Sequence, residues 1–221
     1  MQIKGAVFDM DGVLLNSEVL YQRFWIEALR YYGYNATKEH ILAMRSLTGK
    51  NAERKLKSFF GEKLNYETVK NKRAELMESY IDKHGVEMKK GADKILPILK
   101  NKGIKLALAT SSPLERAKKH LSLAGIFKYF DEYICGSMVE NSKPAPDIYL
   151  LATKKLGLSP DECIAVEDSP NGVISAVNAG CKTIMVPDLT PCPEELKDKV
   201  FAVANTLLDI EYIINSMRIA K

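Results

Sequence analysis

Two carboxylates, Asp9 and Asp11, stand one residue apart in the stretch VFDMDGVL, where an apolar run gives way to a glycine. Alternate side chains of a strand share a face, so both acids would point the same way. Like charges held that close raise each other's pKa unless a cation or a proton lies between them. Asp-Gly is also a common turn dipeptide, so Asp11-Gly12 on its own fits a turn as well as a metal or catalytic pair. A second acid pair, Glu167-Asp168, closes another apolar run in CIAVEDSPNG. Ser169-Pro170 then opens a helix with Ser169 as the expected N-cap, which leaves Asp168, with Glu167 beside it, to face the same edge as Asp9.

Hydroxyls and a lysine complete the set. In LALATSSPLER the strand is expected to end at Thr110, and Ser112 with Glu115 has capping-box spacing around Pro113. Ser112 is therefore expected to cap the helix. Thr110 and Ser111 remain to offer a hydroxyl and a backbone N–H at a helix N-terminus, a place that holds phosphate well. Lys143 lies in NSKPAPD, where two prolines stiffen the chain and keep the lysine out of a helix. A lone lysine is ordinarily a solvated surface charge, whereas one fixed beside clustered acids could neutralise a phosphate oxygen.

These residues need a frame that sets strand ends side by side. From about Gly91 onward, apolar runs (IKLALAT, EYICG, CIAVE, KTIMV, VFAVA) alternate with amphipathic helical stretches near Ala92–Asn101, Leu114–Ala124, Pro146–Leu156, Gly172–Ala179 and Thr206–Met217. Strands apolar at nearly every position are buried on both faces, which implies an α/β fold with a parallel, Rossmann-like sheet between helices. IKGAVFDM belongs to the same sheet. Between Ser17 and about His84 the pattern is helical only, with Leu20, Phe24 and Ala28 at i, i+4 spacing, Trp25, Leu29 and Tyr32 beside them, and Val69, Leu76, Tyr80 and Ile81 in a later helix. The expected division is a core of residues 1–15 and 88–221 and a small all-helical cap of residues 16–87. An insertion leaving from the end of the first strand would lie at the carboxyl edge, where open parallel sheets bind ligands.

The bulk numbers exclude other classes. The 221 residues are 46% hydrophobic and 27% charged, ordinary for a soluble globular protein. No apolar run is long enough to cross a membrane, and the layout of a signal peptide is not expected. A net charge of +4 from scattered lysines suits small anions and gives no nucleic-acid stripe. Cys135, Cys163, Cys181 and Cys192 form no C-x-x-C pair and read as buried free thiols, and the location expected from this is cytoplasmic. His40, His84 and His120 lie far apart in polar helical contexts, which gives a histidine metal site or a Ser-His-Asp triad little support.

Acid-x-acid, hydroxyls, a rigid lysine and a second acid pair, in this order and each at a strand end, resemble the haloacid dehalogenase superfamily of aspartate-nucleophile hydrolases. The resemblance covers essentially the whole chain, and VFDMDGVL and SKPAPDIYLLA are closest to the beta-phosphoglucomutase-like branch. It implies Asp9 as a nucleophile that forms an aspartyl-phosphate and Asp11 as the acid and base. It further implies Mg²⁺ held by Asp9, the Asp11 carbonyl, Asp168 and Glu167, and a phosphoryl group bound by Thr110, Ser111 and Lys143. Asp11 argues against a dehalogenase, because a leaving halide needs no proton, and no Schiff-base lysine is assigned for phosphonate cleavage.

Hydrolysis and mutase chemistry remain in contest. Mutases of this branch commonly carry a histidine after the first motif, and Tyr21 stands at that place. In the cap, Thr48-Gly49 reads as a loop flanked by Arg45 and Lys50, with Lys50 as the candidate substrate contact. The implied partner is a small phosphorylated metabolite, without nucleic acid or membrane, acted on by a monomer. A receiver-like phospho-aspartate switch uses similar residues but has no helical insertion, and a non-catalytic binding module is disfavoured because no catalytic position is missing.

Overall fold

The computed structural model describes residues 3–44, 47 and 49–219. Arg45 and Thr48 lie outside the described residues. The chain divides into two compact units, Met1–Asn16 with Val86–Lys221, and Ser17–Gly85.

The first unit begins with β1 (Gly5–Phe8). The helical unit follows, with α1 (Ser17–Tyr31), α2 (Lys38–Leu42), α3 (Gly49–Phe60) and α4 (Tyr66–His84). The chain then returns through α5 (Ala92–Asn101), β2 (Lys105–Thr110), α6 (Leu114–Leu123), β3 (Glu132–Cys135), α7 (Asp147–Leu156) and β4 (Cys163–Glu167). It closes with α8 (Pro170–Asn178), β5 (Lys182–Met185), α9 (Glu194–Lys197), β6 (Ala202–Val203) and α10 (Asp209–Ile219).

All pairings of the six-stranded sheet are parallel, in the order β3-β2-β1-β4-β5-β6. β1 is central because both of its faces are apolar and every one of its residues is buried. The chain builds outward from β1 to one edge and then restarts on the other side with β4. The carboxyl ends of β1 and β4 thus form the switch point, where this topology leaves a ligand crevice.

Period-two alternation divides the strands into two core layers. Ala6, Phe8, Leu106, Leu108, Ile164 and Val166 face one layer with α5 and α6, and Val7, Ala107, Ala109, Cys163 and Ala165 face the other with α7. The small side chains of the second face let α7 lie close. Burial there pushes the Cys163 and Cys181 thiols up to about 12, so they behave as packing groups, as expected of buried cysteines.

VFAVA departs from the expectation of burial on both faces. Its strand is only two residues long at a sheet edge, and Phe201 just before it and Val203 within it are about half exposed. An edge strand has a neighbour on one side only.

The helical unit has its own core, in which Ala28, Leu29, Leu56 and Val69 are buried. α1 packs along α4, with Trp25 stacked on Tyr66 at 6.0 Å between ring centroids. Among the described residues no helix is long and apolar enough to cross a membrane.

Candidate active site

The sheet ladder itself delivers Asp9. β1 ends at Phe8, and the Asp9 N–H still donates to the Val166 carbonyl at 3.0 Å. Asp9 has the parity of Val7 and Glu167 that of Ala165, so both acids leave their strands on the α7 side.

Lys143 meets them there. Its Nζ lies 2.6 Å from Asp9 Oδ1 and 2.6 Å from Glu167 Oε1, and it donates to the Ala109 carbonyl at 3.1 Å. An ammonium has three donors, and these contacts use them. The side chain is only 9% exposed although it belongs to a loop. The loop is held by the Ser175 hydroxyl on the Ala145 carbonyl at 2.5 Å and by Asn141, whose N–H and side-chain amide both reach Asp147 Oδ1. Burial works against the charge on Lys143, but Asp9 and then Glu167 outweigh it and hold the ammonium above lysine's usual pKa.

Glu167 is filled at both oxygens. Oε1 accepts from Lys143 and from the Tyr149 hydroxyl, and Oε2 from the Asp168 N–H at 3.1 Å and the Ser169 hydroxyl at 3.2 Å. A metal contact from Glu167 would have to displace one of these donors. Ser169 also caps α8, as expected, by accepting from the Gly172 N–H. Gly172 is required by space, because a Cβ there would overlap the Glu167 carboxylate.

Negative charge is concentrated at this edge. Burial pushes the Asp9 carboxyl well above the usual range; Lys143 pulls it down, while Glu167, Asp168 and Asp11 push it further up. Oxygens of Asp9, Glu167 and Asp168 lie within 4.8 Å of one another. Three buried carboxylates this close together fit a hard divalent cation, which takes oxygen ligands.

The hydroxyl loop differs from expectation at one residue. Gly12 turns the chain with φ 83°, so the Asp-Gly turn is real, and it leaves Asp11 half-buried. Ser112 does not cap α6. Pro113 is extended with ψ 147°, the helix starts at Leu114, and the Ser112 hydroxyl donates instead to Asp11 Oδ2 at 2.9 Å. Thr110 is buried, and its Oγ1 accepts the Ser112 N–H at 3.1 Å. Ser111 is exposed at the end of β2, with Gly136 close behind its backbone. The structure therefore joins Asp9, Lys143, Glu167 and Asp168 in one cluster and Asp11, Ser112 and Thr110 in a hydrogen-bonded chain. Lys50 is exposed on α3 of the helical unit. In that unit the Tyr21 ring carries the Arg73 guanidinium at 4.7 Å.

A family model described as haloacid dehalogenase-like hydrolase matches residues 6–186. The chain belongs to the haloacid dehalogenase-like hydrolases. It is 34% identical over 187 residues to hexitol phosphatase A of Escherichia coli, with 84% of each chain covered. It is 32% identical over 182 residues to a phosphorylated carbohydrates phosphatase of Thermotoga maritima, covering 82% of this chain and 84% of the relative. Among solved structures it resembles a candidate beta-phosphoglucomutase from Thermotoga maritima, at TM-score 0.78, 28% identity and coverage of 99% and 100%. The chain is thus a hydrolase of this superfamily, of the beta-phosphoglucomutase-like kind, and its named relatives include phosphatases.

Two contributors were missed in the sequence. Tyr149 reads as one more apolar helix residue, and nothing local marks its hydroxyl. Gly172 did carry a signal, since a glycine inside a helix costs about 1 kcal/mol and asks for a close approach.

Proposed function

We propose that the protein is a Mg²⁺-dependent phosphatase that hydrolyses a small phosphate monoester through an aspartyl-phosphate on Asp9. The observation that carries this reading is the Lys143 ammonium 2.6 Å from Asp9 Oδ1 at the switch point of the sheet. An oxygen of Asp9 attacks phosphorus in line; the phosphorus–oxygen ester bond breaks as the aspartyl bond forms. Asp11 gives its proton to the leaving alcohol. It then takes a proton from the water that attacks the same phosphorus and releases Asp9 and inorganic phosphate. Thr110 and the exposed Ser111 bind the phosphoryl oxygens, and Lys143, exchanging one of its three present acceptors for a phosphoryl oxygen, opposes the charge that develops on them. Asp9, Asp168 and the Asp11 carbonyl would hold Mg²⁺, with Glu167 behind them. When bound, the ion would neutralise phosphoryl charge and relieve the repulsion among the acids.

The relatives named for hexitol and carbohydrate phosphates support a phosphorylated sugar or similar metabolite as substrate. Substrate choice is assigned to the helical unit as a cap, with Lys50 its candidate contact. Membership of the family removes the receiver-like alternative. Four buried free thiols suit a cytoplasmic setting.

The test is Asp9→Asn assayed on a panel of sugar phosphates, nucleotides and phosphoglycolate with released phosphate as readout. A variant that keeps more than about a thousandth of wild-type kcat, a barrier loss under about 4 kcal/mol, means Asp9 is not the covalent residue.

A further inference from the structure

Tyr149 is fully buried in α7, at a place where a phenylalanine would fill the same space. A buried phenol is costly unless its hydroxyl finds a partner. Here the hydroxyl donates to Glu167 Oε1 at 2.7 Å, the oxygen that also accepts from Lys143. The ring of the same residue lies 5.2 Å from Lys143 Nζ, within the range at which an aromatic face attracts a cation. One side chain therefore touches both the lysine and the carboxylate that competes with Asp9 for it. The far side of that carboxylate is held by Ser169 and Asp168 and closed by Gly172, so its Oε1 side is shared between Tyr149 and Lys143.

We propose that Tyr149 is a positioning residue for phosphoryl transfer: it supplies a second donor to Glu167 Oε1 and a bed for Lys143, so that the ammonium remains on Asp9. Without the hydroxyl, Glu167 Oε1 leans on Lys143 alone for that share of its hydrogen bonding, and the ammonium is drawn from the nucleophile toward Glu167. The proposal rests on the reading of Asp9 as nucleophile and Lys143 as its partner.

The test is a double-mutant cycle of Tyr149→Phe and Lys143→Met in the full chain, with p-nitrophenyl phosphate and Mg²⁺. Loss of a hydrogen bond to a charged group sets the expected size, a fall in kcat of about tenfold for Tyr149→Phe. KM should move less than about twofold, because the effect is on the reacting group. The melting temperature should fall by about 3–8 °C from the same lost bond, with the fold retained. In the Lys143→Met background the Tyr149 change should cost nothing further, whereas a merely structural role would cost the same factor in both backgrounds. Where turnover of the Lys143 variant is too slow to read, binding of orthovanadate by calorimetry takes the place of kcat in the cycle.

Wild-type kcat in Tyr149→Phe, or a loss that returns in full without Lys143, overturns the assignment. With an inactive Asp9→Asn control, that result defeats the Tyr149 proposal alone. An active Asp9→Asn defeats the underlying reading and this proposal with it.

Discussion

Ser112 gives its hydroxyl to Asp11 Oδ2 at 2.9 Å, and so ties the loop that leaves β2 to the loop that leaves β1. Thr110 in turn accepts the Ser112 N–H, which fixes the donor. If Asp11 is the acid that protonates the leaving alcohol, Ser112 sets the direction in which that proton is offered. Ser112→Ala should lower kcat by about tenfold on an alkyl phosphate, the size of one hydrogen bond to a charged group. On p-nitrophenyl phosphate, whose leaving group needs little help from an acid, the loss should be much smaller. Equal losses on both esters would separate Ser112 from the proton transfer.

Gly172 and Glu167 are in contact with no room for a methyl group between them. Gly172→Ala should therefore gain nothing from the better helix propensity of alanine. The expected outcome is a destabilisation of about 1–3 kcal/mol by overpacking, read as a lower urea midpoint. Activity should fall with it, because the displaced carboxylate is the one that holds Lys143. A variant more stable than wild type would show that α8 yields easily at this point.

The acids of Asp9, Glu167 and Asp168 make a further prediction that needs no activity assay. A cation that binds the folded chain stabilises it by about 2.7 kcal/mol at a hundredfold excess over its Kd. Millimolar Mg²⁺ should raise the melting temperature of the wild type, and a chelator should reverse the rise and abolish turnover. Asp168→Ala should lose most of the shift and require far more Mg²⁺ for activity. A melting temperature indifferent to Mg²⁺ in the wild type would leave the acid cluster without a metal.

The alternation of the chain made the fold legible, because buried parallel strands are apolar at both parities and CIAVE became β4 residue for residue. The acids were legible for the same reason: a charge at the end of such a strand stands out against what precedes it. Which acid of the second pair shares Asp9's side was not legible, because that depends on the register of β4 against β1. Ser112 was misread because capping-box spacing is a local rule, while the extended Pro113 delays the helix and an acid distant in sequence takes the hydroxyl. Tyr149 was illegible because its ring satisfies the apolar pattern of α7, and its hydroxyl acquires meaning only from Glu167, 18 residues away. VFAVA failed at the sheet edge, where apolar composition does not guarantee cover on both faces.

Hydrolysis and mutase action can be separated by experiment. Both reactions begin with phosphate on Asp9, so they divide at the group that next attacks the aspartyl-phosphate. A phosphatase admits water, whereas a mutase must keep water out until a sugar hydroxyl arrives. Mutases of this branch commonly place a histidine where this chain has Tyr21. A phenol cannot take the protonation states of an imidazole near neutral pH, and here the Tyr21 ring is occupied by the Arg73 guanidinium at 4.7 Å within the helical unit. Simple phosphate esters should therefore yield free phosphate without any bisphosphate activator. Beta-glucose 1-phosphate followed by phosphorus NMR gives the decision. Inorganic phosphate should be the first product to appear, at a rate indifferent to added bisphosphate. Glucose 6-phosphate formed faster than phosphate, and only with the bisphosphate present, would place this chain among the mutases.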